Sequence, residues 1–228
     1  MKANNWKYFV MICLMCCIQQ LSAQDLLKDM KAMYAAYDQI DNLYAQMVTK
    51  EYEGKAKPIT ERVTLRLQGR KSMYEMGDMI IMRNEEYLVS INKGTKQMIC
   101  ASQRQEAGME DLLQGISPNL ENMVENYEKV TFLGLNEGKK RYRIEKEGAE
   151  VAKVELELDA TSYLLSKITY FYTDADYGDR RVEISFPIFK VDVEHQSTLF
   201  HTAHYLKKRG DELMVSDAYQ GYHLIVTR

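Results

Sequence analysis

Residues 153–172, KVELELDATSYLLSKITYFY, decide the fold because they contain two strands and the turn that joins them. In the first half, aliphatic side chains alternate with acidic ones, which is the pattern of a strand with one buried and one solvated face. Residues 159–161 have the composition of a turn, and residues 164–172 then resume an extended pattern rich in aromatic and aliphatic side chains. The stretch therefore predicts an antiparallel hairpin.

The same period of two continues on both sides of this hairpin. Short alternating runs are separated by Gly77-Asp78, Asn84-Glu85 and Asn92-Lys93-Gly94, which are turn-forming sequences. Consecutive strands joined by short turns form an antiparallel meander. The predicted strands are residues 43–52, 62–68, 71–76, 79–82, 86–91, 97–101, 129–135, 140–145, 153–158, 164–172, 181–186 and 222–226.

Two segments have helical spacing instead. Residues 26–37 carry apolar side chains at three- and four-residue steps with polar ones between them, which predicts an amphipathic N-terminal helix. Residues 109–127 predict one or two short helices around Ser117-Pro118. The predicted fold class is therefore α+β, a large curved antiparallel sheet with an N-terminal helix and a helical insertion.

Residues 1–23 have the features of a secretory signal peptide. A lysine-containing start precedes an apolar run at residues 8–18, and Leu21-Ser22-Ala23 places small residues at the cleavage position. A retained membrane anchor is the alternative, but a spanning helix needs about 20 apolar residues. We therefore predict cleavage before Gln24, a periplasmic location, and a mature protein of residues 24–228 that is not integral to the membrane.

Composition narrows the function classes further. Cys100 is the one cysteine left after the leader, so no internal disulfide can form, and its apolar neighbours favour an inert core residue over a nucleophile. The chain has 33 Asp and Glu against 30 Lys and Arg, and the leader removes two of the lysines, which argues against nucleic acid as a partner. No linker composition interrupts the mature chain, so we predict one domain and expect a monomer.

Candidate chemical groups are few. His195, His201 and His204 fall within ten residues and could bind a metal or sense pH, but their spacing is no zinc signature and surface histidines are favoured. Residues 174–179, DADYGD, approach a calcium loop but lack its glycine at the sixth position, so a solvated turn is favoured. The sequence contains no catalytic motif. We therefore predict no enzyme activity, no cofactor and no metal site.

Residues 127–172, which begin YEKVTFLGLNEGKKRYRIEKEG and end AKVELELDATSYLLSKITYFY, resemble the LolA/LppX/RseB-like superfamily of periplasmic lipoprotein carriers. The segment LELDATSYLLSKITYFY is similar to a hairpin of that family in which an acidic turn precedes a strand bearing lysine. The resemblance implies a half-open β-barrel whose helices cover the concave face and close the mouth. It also implies binding of acyl chains or lipid-modified proteins, with the N-terminal helix leaning across the mouth.

Apolar side chains at strand spacing are the candidate ligand-binding lining. They include several methionines, whose flexible side chains suit ligands of variable shape. The alternative is that they form the packed core beneath the helices. By period two, the apolar side chains of residues 63–67 and 154–158 are expected to point into one interior. The candidate lining is Val63, Leu65, Leu67, Tyr74, Met76, Tyr87, Val89, Met98, Val154, Leu156 and Leu158, and the candidate lid residues of the N-terminal helix are Leu27, Met30, Tyr34 and Tyr37.

The leading hypothesis combines these predictions. It is an exported, non-enzymatic envelope protein that binds a lipid or a lipoprotein acyl chain in a half-barrel cavity, in the manner of an outer-membrane lipoprotein carrier. The alternative is a protein-interaction or sensor module of the cell envelope, with the cavity filled by side chains and a protein as partner.

Overall fold

The computed structural model describes residues 25–102, 128–173, 180–210 and 212–227. The predicted signal peptide, the predicted helices at 109–127 and the acidic loop at 174–179 lie outside the described residues, so these three stay predictions.

Strands form most of the described chain. Helix α1 spans residues 25–38, and near the C-terminus there are helix α2 (Thr202–Tyr205) and two 3-10 turns, Ser197–Phe200 and Asp217–Tyr219. None of the described helices has the length and apolar character needed to cross a membrane. The strands are β1 (Asn42–Tyr52), β2 (Ile59–Gln68), β3 (Lys71–Met76), β4 (Met79–Arg83), β5 (Tyr87–Asn92), β6 (Gln97–Ser102), β7 (Lys129–Asn136), β8 (Lys139–Glu145), β9 (Val151–Asp159), β10 (Leu165–Tyr172), β11 (Arg181–Val191), β12 (Leu206–Arg209), β13 (Glu212–Val215) and β14 (His223–Thr227).

Twelve of these strands form one sheet in the order β14-β6-β5-β4-β3-β2-β1-β11-β10-β9-β8-β7, and β12 pairs with β13 separately. The order is linear with β14 and β7 at its ends, so the sheet is open, and the predicted α+β fold built on a large open sheet is confirmed. The sheet is mixed and not purely antiparallel as predicted, because β14 runs parallel to β6. Parallel neighbours require a long connection, and the chain between β6 and β14 provides one.

The chain divides into two compact units. The first contains α1, residues 50–59 and the described part of residues 128–185. The second contains residues 39–49, residues 60–102 and the described chain from residue 186 onward.

The first unit is built on the hairpin that opened the sequence analysis. Strands β9 and β10 pair antiparallel, with Leu156 opposite Ile168 and both side chains buried. In the turn, the Asp159 carboxylate accepts backbone N–H bonds from Ser162 at 2.8 Å and Thr161 at 3.0 Å. These bonds, chiefly the one from Ser162, lower the pKa of Asp159. The predicted hairpin and its turn are therefore confirmed.

The two faces of this sheet segment differ in chemistry. On one face Tyr142 pairs with Leu156, and both are buried beneath α1. The opposite face carries cross-strand ion pairs, Arg143 with Glu155 at 2.9 Å and Arg141 with Glu157 at 3.3 Å. The first unit therefore has a single apolar face. Its buried helix residues are Leu26, Met30, Met33 and Tyr37.

This difference between the faces generates the first prediction. Replacing Leu156 with Asp should lower the free energy of unfolding by several kcal/mol or prevent folding, because the charge is buried without a partner. Replacing neighbouring Glu155 with Gln should cost about 1 kcal/mol or less, because its ion pairs are partly solvated. Urea unfolding of both variants measures the difference, and equal effects would contradict the assigned faces.

Candidate functional site

One face of the second unit carries a row of mostly apolar residues, interrupted by Ser90, that runs across six strands. Each member lies directly opposite the next in the strand pairing, so all side chains point to the same side of the sheet. The members, in spatial order, are Leu65, Tyr74, Ile81, Ser90, Ile99 and Ile225, and this set is called the open row below.

The open row is buried at one end and accessible at the other. Leu65 is 4% exposed and packs in a cluster with Leu43 and Leu67. Farther along, Ile81 is 37%, Ile99 42% and Ile225 38% exposed. Ile99 and Ile225 lie directly opposite each other, and Ser90 separates them from Ile81, so three accessible isoleucines lie close together on this face.

Neighbouring positions extend the apolar character of this face. Val63 and Met76 lie opposite each other beside one flank of the row, and Met76 pairs on with Met79. The same flank then becomes polar at Asn92 and Gln97, which pair across β5 and β6. The face therefore combines an apolar strip with a hydrophilic margin.

The opposite face of the same strands is a closed core. Met73, Met82, Val89 and Met98 are almost fully buried there, packed against residues from the C-terminal segment. The covering side chains are Phe200, Tyr205 and Leu206. Most of the methionine-rich run thus packs as a core, which was the alternative interpretation of these residues.

Burial also raises the pKa values of two titratable groups in this core. Burial raises the pKa of the Cys100 thiol, which disfavours the reactive thiolate. Burial likewise raises the pKa of Tyr205, whose hydroxyl donates to the Leu199 carbonyl oxygen at 2.6 Å. Both groups serve packing.

The structure separates the predicted lining residues into three sets. It brings together Val63, Leu65, Leu67, Tyr74 and Met76 on the face of the open row. Tyr87, Val89 and Met98 lie on the opposite face of that sheet, with Val89 and Met98 in the closed core and Tyr87 packed against it. Val154, Leu156 and Leu158 are buried in the first unit, on the face where α1 lies. The sequence analysis did not include Ile81, Ile99 and Ile225 in the lining. Each has apolar residues on both sides in the sequence, which is the signal of a strand that is apolar on both faces.

In the first unit, a buried carboxylate fixes α1 to the sheet. Asp29 is 4% exposed, and its two oxygens accept bonds from the Lys140 ammonium, each at 2.8 Å. The Tyr142 hydroxyl donates to the same carboxylate at 2.6 Å. These three residues are called the Asp29 cluster. Burial, and then the hydrogen bond to Asp29, raise the pKa of Tyr142 strongly.

The sequence analysis missed Asp29 because it treated the residue as part of the polar face. The spacing of Asp29 in the helix indicates its position, since it lies three residues after Leu26 and four before Met33, on the same helix face as these two buried residues. An acid at that position in a helix must face the sheet. Tyr163 adds to the site, because its ring lies 4.8 Å from the Lys140 nitrogen.

The predicted lid residues occupy two environments on α1. Met30 and Tyr37 are buried, whereas Leu27 and Tyr34 are partly buried. The Tyr37 hydroxyl accepts the backbone N–H of Leu165 at 3.3 Å, and burial raises the pKa of Tyr37 to about 12. The helix therefore has a second polar attachment near its C-terminal end.

A polar cavity of about 470 Å³ lies in the second unit, at the start of β1 and the ends of β2 and β11. Two acidic residues and two residues with side-chain amides are among those that line it. The lining residues are Asn42, Gln68, Asp192, Val193, Glu194 and His195.

The histidine cluster of the sequence analysis is dispersed. The His195 Nε2 atom lies 2.9 Å from the Leu43 carbonyl oxygen, whereas His204 packs its ring edge-on against Tyr205. Within the described ranges, no group of three or more His, Cys, Asp or Glu side chains could hold a metal ion.

Comparisons with known proteins find similarity in structure alone. No protein-family model matches the chain, and no curated protein matches it. An uncharacterized conserved protein from Thermus thermophilus is 9% identical, with a TM-score of 0.46 over 89% of this chain and 99% of that chain. A LolA superfamily protein from Nitrosomonas europaea is 11% identical, with a TM-score of 0.34 over 75% of this chain and 96% of that chain.

The MucA/MucB complex of Pseudomonas aeruginosa also has a similar chain, at 11% identity and a TM-score of 0.47, covering 84% of this chain and 63% of that chain. The LolA-like resemblance indicated by the sequence thus recurs as similarity to solved structures.

The Asp29 cluster generates the second prediction. Replacing Lys140 with Met should lower the free energy of unfolding by about 3 kcal/mol, because it leaves a buried carboxylate without its counter-ion. Replacing Asp29 with Asn should cost less, because the Lys140 side chain is 25% exposed and can be hydrated. Urea unfolding measures both changes, and amide exchange over residues 25–38 should accelerate in Lys140→Met.

Asp38→Asn is the matched control, since that carboxylate lies at an exposed position of the same helix. It should leave both measurements within error of the unmodified protein. If Lys140→Met behaves like this control, the cluster does not anchor α1.

Proposed function

We propose that this chain is an exported, non-enzymatic envelope protein that binds a hydrophobic ligand along the open row, the ligand being a lipid or the acyl chain of a lipoprotein. Its role is then that of an outer-membrane lipoprotein carrier or sorting protein in the periplasm. The observation that carries the proposal is the half-exposed row Ile81, Ile99 and Ile225, which continues into a buried apolar cluster at Leu65.

The dimensions of the row suit an extended acyl chain. Its accessible part runs from Ile81 to Ile225 across four strands, which at a spacing of about 4.8 Å gives a length of about 14 Å. Each methylene that leaves water for this surface contributes about 0.8 kcal/mol, so a chain lying along the row gains affinity in proportion to its length. The side chains of Met76 and Met79 beside it can adapt to the shape of the chain.

The margins of the row supply a place for a polar end. Asn92, Gln97 and His223 pair across β5, β6 and β14 along one flank. An amphiphile can therefore keep its apolar part on the isoleucines while its polar part remains hydrated.

Non-enzymatic action is supported by where the perturbed groups lie. Tyr205 and Cys100 have raised pKa values because packing buries them in the closed core. The pKa of Tyr142 is raised by burial and then by Asp29, but this pair is buried beneath α1 and not in an open cleft. Catalytic groups usually have pKa values that are shifted by charge partners within a cleft.

The proposal also assigns a role to α1. This helix is a lid of the first unit, and its contact residues are Leu27, Met30, Tyr34 and Tyr37.

Ligand titration tests the leading proposal. Delipidated protein lacking residues 1–23 should bind a fluorescent fatty acid saturably, and Ile99→Lys should weaken this binding at least tenfold. The reason is that bound ligand would desolvate the new ammonium group without pairing it. Fluorescence titration measures the dissociation constant, and thermal unfolding should show that the exposed substitution leaves the fold intact.

Leu135→Lys is the matched control, because Leu135 is 64% exposed and belongs to the first unit. It should bind the fatty acid as the unmodified protein does. Absence of saturable binding, or equal weakening in both variants, would remove the support for a ligand on the open row.

A second function, a protein-interaction module, is favoured by the edge strand β7. This strand ends the sheet order, and in the described chain no strand pairs with its outer edge. Phe132, Leu133 and Leu135 on it are 37% to 64% exposed. An open edge with apolar side chains suits a partner that adds an extended strand.

The same two variants separate the two functions. If β7 receives a protein strand, a stoichiometric partner should co-purify with the native protein and with Ile99→Lys but be lost from Leu135→Lys. If the open row is the functional surface, bound lipid should instead be lost from Ile99→Lys and retained by Leu135→Lys. Mass spectrometry of the purified material distinguishes these patterns.

A further inference from the structure

The charge beside the open row indicates which class of lipid this surface takes. We infer that Arg83 binds the carboxylate or phosphate group of an anionic amphiphile whose apolar part lies along the open row. The inference rests on the proposed function for the apolar part of the ligand and adds the polar group that the ligand carries.

Arg83 belongs to a second row of residues that runs beside the open row. It lies two residues after Ile81 on β4, and alternate residues of a strand point to the same face of a sheet. Like the open row, the second row consists of residues that lie directly opposite one another in the strand pairing. Its members are Leu67, Ser72, Arg83, Leu88, Ala101 and Thr227, and this set is called the arginine row below.

Arg83 is the single charged residue among three adjacent rows on this face. The open row lies between the arginine row and a third row of six, which is Val63, Met76, Met79, Asn92, Gln97 and His223. Arg83 is the only Asp, Glu, Lys or Arg in the three rows. The polar face of the first unit differs, because both signs of charge alternate there, as in the pair of Arg143 and Glu155.

Accessible aliphatic side chains adjoin Arg83. Leu88 lies directly opposite it and is 39% exposed, and Ile81 on the same strand is 37% exposed. The methylene groups of an arginine can pack on such side chains while the guanidinium group stays in water. Ligand sites are commonly apolar with a few charged groups that fix the orientation of the ligand. The cation and the apolar surface are therefore contiguous, at the β4 end of the accessible isoleucines.

The acids nearest to Arg83 in sequence lie in the turn after β4. The Glu85 carboxylate lies 3.6 Å from the Lys71 ammonium, and the Thr202 hydroxyl donates to the Glu86 carboxylate at 3.5 Å. A guanidinium group has five N–H donors, so Arg83 can bind a ligand anion and still keep contacts with the protein.

The next residue fixes the backbone at Arg83. Asn84 is buried, its side-chain amide donates to the Phe200 carbonyl oxygen at 2.9 Å, and its backbone N–H donates to the Tyr87 carbonyl oxygen at 3.0 Å. A binding group on a rigid element keeps its geometry when a ligand arrives. The planar guanidinium group matches carboxylate and phosphate, because each of these anions can accept two parallel hydrogen bonds from it.

The overall charge of the chain makes a preference for anions informative. The chain has 33 Asp and Glu against 30 Lys and Arg, so its general field attracts cations. Tighter binding of an anionic amphiphile must therefore come from a local group.

Calorimetric titration of the delipidated protein with dodecanoate, dodecyl phosphate and dodecylamine, each in monomeric form, tests the inference. Both anions should bind at least tenfold more tightly than dodecylamine. Arg83→Gln should weaken both anions at least tenfold and leave dodecylamine unchanged or tighter, because it removes the cation and keeps the apolar surface. Arg62→Gln makes the same charge change at an exposed position on the opposite face of β2 and should keep the preference.

Substitution of Leu88 tests the same charge with the arginine in place. In Leu88→Glu the new carboxylate lies directly opposite Arg83 and can pair with it. Dodecanoate should therefore bind at least tenfold more weakly to Leu88→Glu than to Leu88→Gln, and dodecylamine should not be weakened.

The possible failures are distinguishable. If dodecylamine binds as tightly as the anions, or Arg83→Gln leaves the preference unchanged, the role of Arg83 is wrong while the proposed function stands. If inorganic phosphate binds as tightly as dodecyl phosphate, the amphiphile assignment is wrong. If no compound with a dodecyl chain binds saturably, the inference and the proposed function both fail. With the preference confirmed, tighter binding of dodecyl phosphate supports a phosphate-headed lipid, and tighter binding of dodecanoate supports a fatty acid.

Discussion

The Asn84 side chain ties the C-terminal segment to the turn between β4 and β5, and the second unit depends on that attachment. Its amide nitrogen donates to the Phe200 carbonyl at 2.9 Å and to the Thr202 hydroxyl at 3.0 Å, while its oxygen accepts the backbone N–H groups of Glu86 and Tyr87. A buried amide with this many partners is a specific fastening point, since an unsatisfied one would cost several kcal/mol. Because the segment is fastened there, one apolar face of the sheet is closed and the other is left with its isoleucines open.

In the first unit, charged side chains on one face of the sheet make a second covering layer unnecessary. Strands β8 to β10 are apolar on one face, which α1 covers, and ion-paired on the other, as with Arg143 and Glu155. Such a sheet needs one covering layer, whereas β3 to β6 are apolar on both faces and need two. One layer, the C-terminal segment, is present among the described residues. The ligand proposal follows from this physical asymmetry between the two units.

Local signals predicted much of the fold, and long-range pairing accounts for what they missed. Alternation and turn residues located β2 to β10 closely, because short turns that the sequence encodes join β2 through β6 and β7 through β10. The end of β11 was placed at residue 186, but the strand continues through Pro187 to Val191, although proline lacks a ladder donor. The parallel β14 and the Asn42–Asp192 cavity join segments more than 120 residues apart in sequence, and no local pattern reports such contacts. Alternation also does not indicate which of two apolar faces of a strand is covered. The sequence analysis therefore assigned Val89 and Leu65 to one lining, although they lie on opposite faces of the sheet.

The buried Asp29 shows why a charge is retained where an apolar residue would pack. The apolar stripe of α1 repeats at steps of three and four residues, so translation by one turn would still place apolar side chains on the sheet. Only one register, however, brings the Asp29 carboxylate to Lys140 and Tyr142. Any other position leaves a carboxylate desolvated and unpaired, which is far more costly than imperfect apolar packing. The cluster therefore specifies the position of the helix more than it strengthens the attachment.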